Sequence, residues 1–159
     1  MSEAPQDGRT GEEPTEYRPH ETTVHYGPEF AAQLAAMEAG IAPDELEVIA
    51  ALPSASALLI VRRGPNMGAR FLLDSDLTVA GRHPDADIFL DDVTVSRKHA
   101  SFLRLGTQFS VRDLGSLNGT FMSGDRIDQT VPLLDGAEVQ VGKFHLTFYA
   151  SRRDLPQSA

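Results

Sequence analysis

The spacing of apolar residues changes character twice along the chain. Residues 1–28 are rich in Glu, Pro, Gly and Thr and show no apolar period. A segment of that kind cannot bury enough surface to offset the entropy of ordering it. Phe30, Leu34, Met37 and Ile41 then recur at i, i+4, i+7 and i+11 in an Ala-rich stretch preceded by Pro28 and ended by Gly40, which predicts an amphipathic helix. A second run, 44–52, starts at Pro43-Asp44 and stops at Pro53. Helices this short are marginal in water, so the pair is expected to form transiently on a linker.

From Ala57 the period falls to two and turn residues become dense. Phe144, Leu146 and Phe148 alternate with His145, Thr147 and Tyr149, which gives one buried and one exposed face. Strands are predicted at 57–62, 69–73, 77–80, 88–90, 100–105, 108–113, 120–122, 131–133, 138–141 and 144–149, separated by Gly-, Asn- and Asp-containing turns. About ten to eleven short strands with no helix among them indicate an all-β, antiparallel β-sandwich. The expected core is Leu58, Ile60, Phe71, Leu73, Val79, Ile88, Phe102, Phe109, Val111, Val139, Val141, Phe144, Leu146 and Phe148. The expected domains are therefore a disordered acidic tail over 1–53, the sandwich over 54–150, and a disordered C-terminal tail over 151–159.

Charge sharpens that division. Residues 1–53 hold eleven acids and two bases, whereas 54–159 hold twelve of each, so the whole formal charge of −9 belongs to the first third. A neutral body behind an acidic leader argues against nucleic-acid binding, which draws its affinity from clustered Lys and Arg. The chain has no cysteine, which excludes a disulfide framework, a thiol nucleophile and thiolate metal sites. No apolar run approaches a membrane span, and the N-terminus lacks a basic start and an apolar core, so a cytoplasmic, membrane-free protein is expected.

Three inter-strand loops carry the chemistry. They are Gly81-Arg82-His83-Pro84, Thr94-Val95-Ser96-Arg97-Lys98-His99 and Gly115-Ser116-Leu117-Asn118-Gly119-Thr120. Loops of a sandwich cluster at its two ends, so these can converge. Together they supply a guanidinium fork, a hydroxyl, further cations and a carboxamide, a set suited to a phosphate ester on a peptide. Ser96, His99 and Asp113 lack the strained G-x-S-x-G setting of a hydrolase nucleophile, and no P-loop, dinucleotide fingerprint or H-E-x-x-H is present. The acidic run 85–92 places Phe89 where a calcium loop needs a ligand. No catalysis, cofactor or metal is expected.

Gly81-Arg82, Ser96-Arg97-Lys98-His99 and Asn118-Gly119, with spacings of 14 and 22 residues between Arg82, Ser96 and Asn118, resemble the signature of the forkhead-associated (FHA) domain. The resemblance covers roughly residues 57–150 and implies a phosphothreonine-binding sandwich. It implies that Arg82 and Ser96 bind phosphate, that Arg97 and Asn118 hold phosphate or ligand backbone, and that Gly81, His99 and Gly119 support the loops. Many FHA domains have a Thr before the Asn; Leu117 can contribute only its backbone.

The leader contains Glu21-Thr22-Thr23. Such a motif ahead of a single C-terminal FHA domain is similar to the actinobacterial family of oxoglutarate dehydrogenase inhibitors, also called glycogen accumulation regulators. The similarity extends to the stretches 73–97, 115–120 and 141–144. It implies a monomeric inhibitor of the E1 component of 2-oxoglutarate dehydrogenase, acting in some members on glutamate dehydrogenase and glutamate synthase. It further implies a Ser/Thr protein kinase that modifies Thr22 or Thr23, so that the phosphorylated tail occupies its own FHA site. The alternative is an adaptor of another kinase pathway that binds phosphothreonine on partner proteins.

Overall fold

In the computed structural model, Gly27, Phe30, Ala31, Leu34 and residues 40–156 are described. Thr22, Thr23 and nearly all of the leader lie outside the described residues, as does most of the first helical run; Phe30, Ala31 and Leu34 are helical. Two compact units divide the chain, Met1–Leu46 and Glu47–Ala159. Helix α1, Pro43–Ala50, has Asp44 and Glu45 in its first turn, and Glu45 Oε1 accepts the Ala42 amide at 3.0 Å. Proline at the first position and a carboxylate folded back on the preceding amide together set its start.

The sandwich comprises β1 Ala57–Arg63, β2 Arg70–Leu73, β3 Leu77–Gly81, β4 Ile88–Phe89, β5 Ala100–Leu105, β6 Gln108–Asp113, β7 Thr120–Met122, β8 Asp125–Arg126, β9 Val131–Leu133, β10 Glu138–Val141 and β11 Phe144–Ala150. They form a six-stranded sheet, β2-β1-β11-β10-β7-β8, and a five-stranded sheet, β4-β3-β5-β6-β9. All pairings are antiparallel except the two-residue β3–β4 pair. The two sheets bury a common core in which Leu59, Val61, Val139, Leu146 and Phe148 share a cluster with Ala80, Phe102, Phe109 and Val111.

Three expectations need correction. On β1 the shared core takes Ala57, Leu59 and Val61, while the expected Leu58 and Ile60 are buried outside that cluster. The strand is buried on both faces, so alternation could not choose between them. Val79 and Phe71 are only partly buried.

The boundary expected at Pro53 is also misplaced. Ile49 and Leu52, treated as linker residues, are buried, and the Leu52 carbonyl accepts the Ser151 hydroxyl at 2.9 Å. Finally, part of the C-terminal stretch expected to be disordered is a 3₁₀ turn, Arg152–Asp154, whose start is capped by Ser151. Asp154 accepts the Ser54 hydroxyl at 2.5 Å and the Ala55 amide at 2.7 Å. Short polar side chains hold this turn, and apolar periodicity is blind to them.

Candidate functional site

The three loops meet at one end of the sandwich, and backbone contacts bring them there. Gly81 closes β3 against the loop before β5: a Cβ added to it would sit 2.0 Å from the Arg97 carbonyl oxygen, so only glycine permits the approach. The Arg82 amide donates to the Ser96 carbonyl at 2.9 Å and the His83 amide to that of Arg97 at 3.4 Å. Arg82 is exposed, and its Nε donates to the Val95 carbonyl at 3.0 Å. That bond aims the side chain and leaves both terminal nitrogens of the fork for a ligand.

His99 joins the second and third loops. Its ring is fully buried; Nδ1 accepts the Ser96 amide at 3.0 Å and Nε2 lies 2.9 Å from the Gly119 carbonyl. An acceptor role for Nδ1 leaves the proton on Nε2, the neutral tautomer. Burial holds its pKa below the usual imidazole value, against opposing contributions from the Gly119 carbonyl and the Asp113 carboxylate. Because His99 bonds the Ser96 amide and not its hydroxyl, no nucleophile–base pair exists there.

Ser96 Oγ instead accepts the Leu117 amide at 3.0 Å, which leaves its own proton to donate outward. Leu117 itself is exposed and offers the site this backbone contact alone. The Asn118 carboxamide nitrogen donates to the Thr94 carbonyl at 2.9 Å, so its oxygen stays available to a peptide N–H.

Two carboxylates that the sequence did not mark as anchors rigidify this end. Asp113 accepts the Gly115 and Ser116 amides and the Ser116 and Thr120 hydroxyls at 2.5–3.0 Å. Burial pushes its pKa up, but these four bonds outweigh that and hold it below the ordinary carboxylate value. Asp92 accepts the Thr94 amide at 2.9 Å and the Thr94 hydroxyl, and these bonds likewise lower its pKa. Thr94 Oγ1 in turn accepts the Lys143 amide at 3.0 Å. Turn-forming Asp residues two or three positions before Ser or Thr were the available signal.

Arg97 is exposed and, with Lys98, Val79, His83, Asp85, Ala86 and Asp87, lines a groove of about 720 Å³ beside these loops. One further cation went unmarked in the sequence. Arg126, on β8, lies against Gly119: a Cβ there would fall 2.6 Å from its Nε. Arg82, Ser96, Arg97, Leu117 and Asn118 therefore occupy one end of the molecule, with Gly81, His99 and Gly119 beneath them. Among the described residues no helix is long and apolar enough to cross a membrane.

This fold and loop set define an FHA domain, a phosphothreonine-binding module, and the FHA family model matches residues 78–142. A solved structure from work on phosphothreonine-dependent FHA interactions aligns with a TM-score of 0.56 at 26% identity, covering 64% of this chain and 99% of that one. The glycogen accumulation regulator GarA of Mycolicibacterium smegmatis is 50% identical over 142 residues, 89% of each chain. The oxoglutarate dehydrogenase inhibitor of Corynebacterium jeikeium is 61% identical over 97 residues, 61% of this chain and 67% of that one. The chain belongs to this family of FHA-domain regulators, the glycogen accumulation regulators and oxoglutarate dehydrogenase inhibitors.

Proposed function

We propose that the unphosphorylated chain, as a cytoplasmic monomer, uses the loop end of its FHA domain to bind and inhibit the E1 component of 2-oxoglutarate dehydrogenase. A Ser/Thr protein kinase phosphorylates Thr22 or Thr23, and the phosphothreonine folds back onto the same site and blocks it. The same surface serves a glutamate dehydrogenase and a glutamate synthase. Arg82 and Ser96 hold the phosphate, Arg97 and Asn118 hold phosphate or peptide backbone, and Leu117 steadies the Ser96 hydroxyl. In domain terms, the leader is the regulatory segment and the sandwich its receptor.

The observation that carries this reading is the free donor set at one end: the terminal nitrogens of Arg82, the Ser96 hydroxyl proton and the Arg97 guanidinium, on a chain whose leader offers Glu21-Thr22-Thr23. A phosphate brings about −1.5 to −2 charge to one point, which the dispersed acids of the leader cannot match. Thirty-three residues separate Thr23 from Ala57. A flexible segment of that length spans on the order of 30 Å, enough to reach the far end of a domain with a radius of gyration of about 13 Å. Tethering at roughly millimolar effective concentration fills even a micromolar site.

The test has two arms. Immobilised unphosphorylated protein is expected to retain a large 2-oxoglutarate dehydrogenase component, and the phosphorylated form to release it; retention only of phosphorylated partners would replace the inhibitor with an adaptor. By small-angle scattering, the phosphorylated chain is expected to be more compact than its Arg82→Ala variant. Equal compactness would overturn intramolecular capture.

A further inference from the structure

Strand β8 is only two residues long, Asp125–Arg126, and it turns back from β7 through Ser123 and Gly124, whose φ values are 51° and 89°. Phe121 faces Arg126 and Met122 faces Asp125, so this is a two-residue hairpin turn with both central residues left-handed. So short an arm adds little to the core. Its visible effect is to fix where Arg126 points. Its side chain packs against Gly119, with Nε 2.6 Å and Cζ 2.9 Å from where a Cβ would stand, and glycine is what lets it settle there.

That position borders the site. Gly119 follows Asn118, and its carbonyl meets the His99 ring. Arg97 and Lys98 come from the loop that enters β5 of the five-stranded sheet, whereas Arg126 comes from β8 of the six-stranded sheet and lies against Gly119. Arg126 is exposed, and among the described residues its side chain makes no ion pair or hydrogen bond, even with Asp125 and Asp128. A planar cation held in place without a carboxylate partner is poised for one that arrives with the ligand.

We propose that Arg126 determines specificity by pairing with an acidic side chain one or two residues before the phosphothreonine, and that Glu21 is that acid in the chain's own leader. This rests on the phosphothreonine reading of the site. An extended peptide advances about 3.3 Å per residue, so such a side chain stays within the span of an arginine packed one residue from Asn118. Immediately beside the threonines the acid lies on one side only: Glu21 precedes Thr22-Thr23, whereas Val24, His25 and Tyr26 follow.

The test is a double-mutant cycle by calorimetry on the unphosphorylated full chain. The probes are peptides of residues 16–28, phosphorylated at Thr22 or at Thr23, each with Glu21 or with Glu21→Gln. The parent protein is expected to prefer the Glu21 peptide of at least one phosphoform by about two- to fivefold, the scale of an exposed ion pair. Arg126→Gln is expected to bind both versions alike, with its unfolding midpoint unchanged. A parent indifferent to Glu21→Gln in both phosphoforms, or a preference that survives in Arg126→Gln, would overturn the proposal. Arg82→Ala is run alongside: weakening of every phosphopeptide by about 100-fold keeps the underlying reading intact whichever way the cycle falls, and undiminished binding by Arg82→Ala would refute that reading itself.

Discussion

The two ends of the sandwich use the same kinds of fastener but differ in whether their arginines meet a carboxylate. At the end away from the site, two arginines are paired with carboxylates. Arg104 donates to Asp76 at 2.9 Å and to the Ala55 carbonyl at 2.8 Å, and Arg152 donates to Asp135 at 2.7 Å. At the loop end, two acids are taken up by backbone and hydroxyl donors: Asp113 by the 115–120 loop and Asp92 by Thr94. Arg82, Arg97, Lys98 and Arg126 are left without a carboxylate among the described residues. Asp113 and Asp92 bond to donors within their own loops and pair with none of these cations. Opposite charge then has to come from a ligand.

Substitutions can break this contrast, and the largest effect belongs to the ring that ties the loops. His99→Ala should cost about 3–4 kcal/mol in denaturant unfolding, because it opens a cavity and strands the Ser96 amide and the Gly119 carbonyl. The same ring sets an acid limb. A folded-state pKa below that of the unfolded chain means stability is whole above about pH 6.5 and falls as the pH drops toward the folded value, because the unfolded state takes the proton first. Asp113 and Asp92 add a second loss below about pH 3.8, since they are held ionised only in the fold. Melting temperatures measured across this range should show both limbs, and His99→Gln should flatten the first.

Next in size, Arg82→Ala should weaken a phosphothreonine peptide about 100-fold, or ~2.7 kcal/mol, in calorimetry. Arg104→Ala, at the paired end, should leave that affinity unchanged. Gly81→Ala should cost about 2 kcal/mol and reduce binding, since the Arg97 backbone must move to admit the methyl group. The smallest effect is expected from Asp154→Ala, which releases the 3₁₀ turn from Ser54 and Ala55 for about 1 kcal/mol of stability and no change in phosphopeptide affinity.

The strands were legible because ten of them carry alternating or continuous apolar residues between Gly- and Asn-bearing turns, and each is found within two residues of its expected limits. The eleventh, β8, is absent from the predicted strands: Asp125 and Arg126 are both polar and exposed, so no period marks them as a strand. Face assignment failed on β1, where burial on both sides removes the polar half of the pattern. The Arg82, Ser96 and Asn118 loops were legible from motif spacing. Arg126 was not, because its place beside Gly119 comes from a hairpin that folds back, a relation that lies in the turn dihedrals and not in the order of residues. The anchoring at Ser151 and Asp154 was missed for a related reason: side chain to backbone bonds across about a hundred residues leave no local trace.

The buried imidazole has one more consequence. Its Nε2 proton is shut away from solvent and pinned to a carbonyl on a different loop. That hydrogen should exchange with deuterium slowly and give a sharp, downfield magnetic resonance line of its own. The line would act as a built-in gauge, reporting whether the two loops remain laced together as ligands come and go.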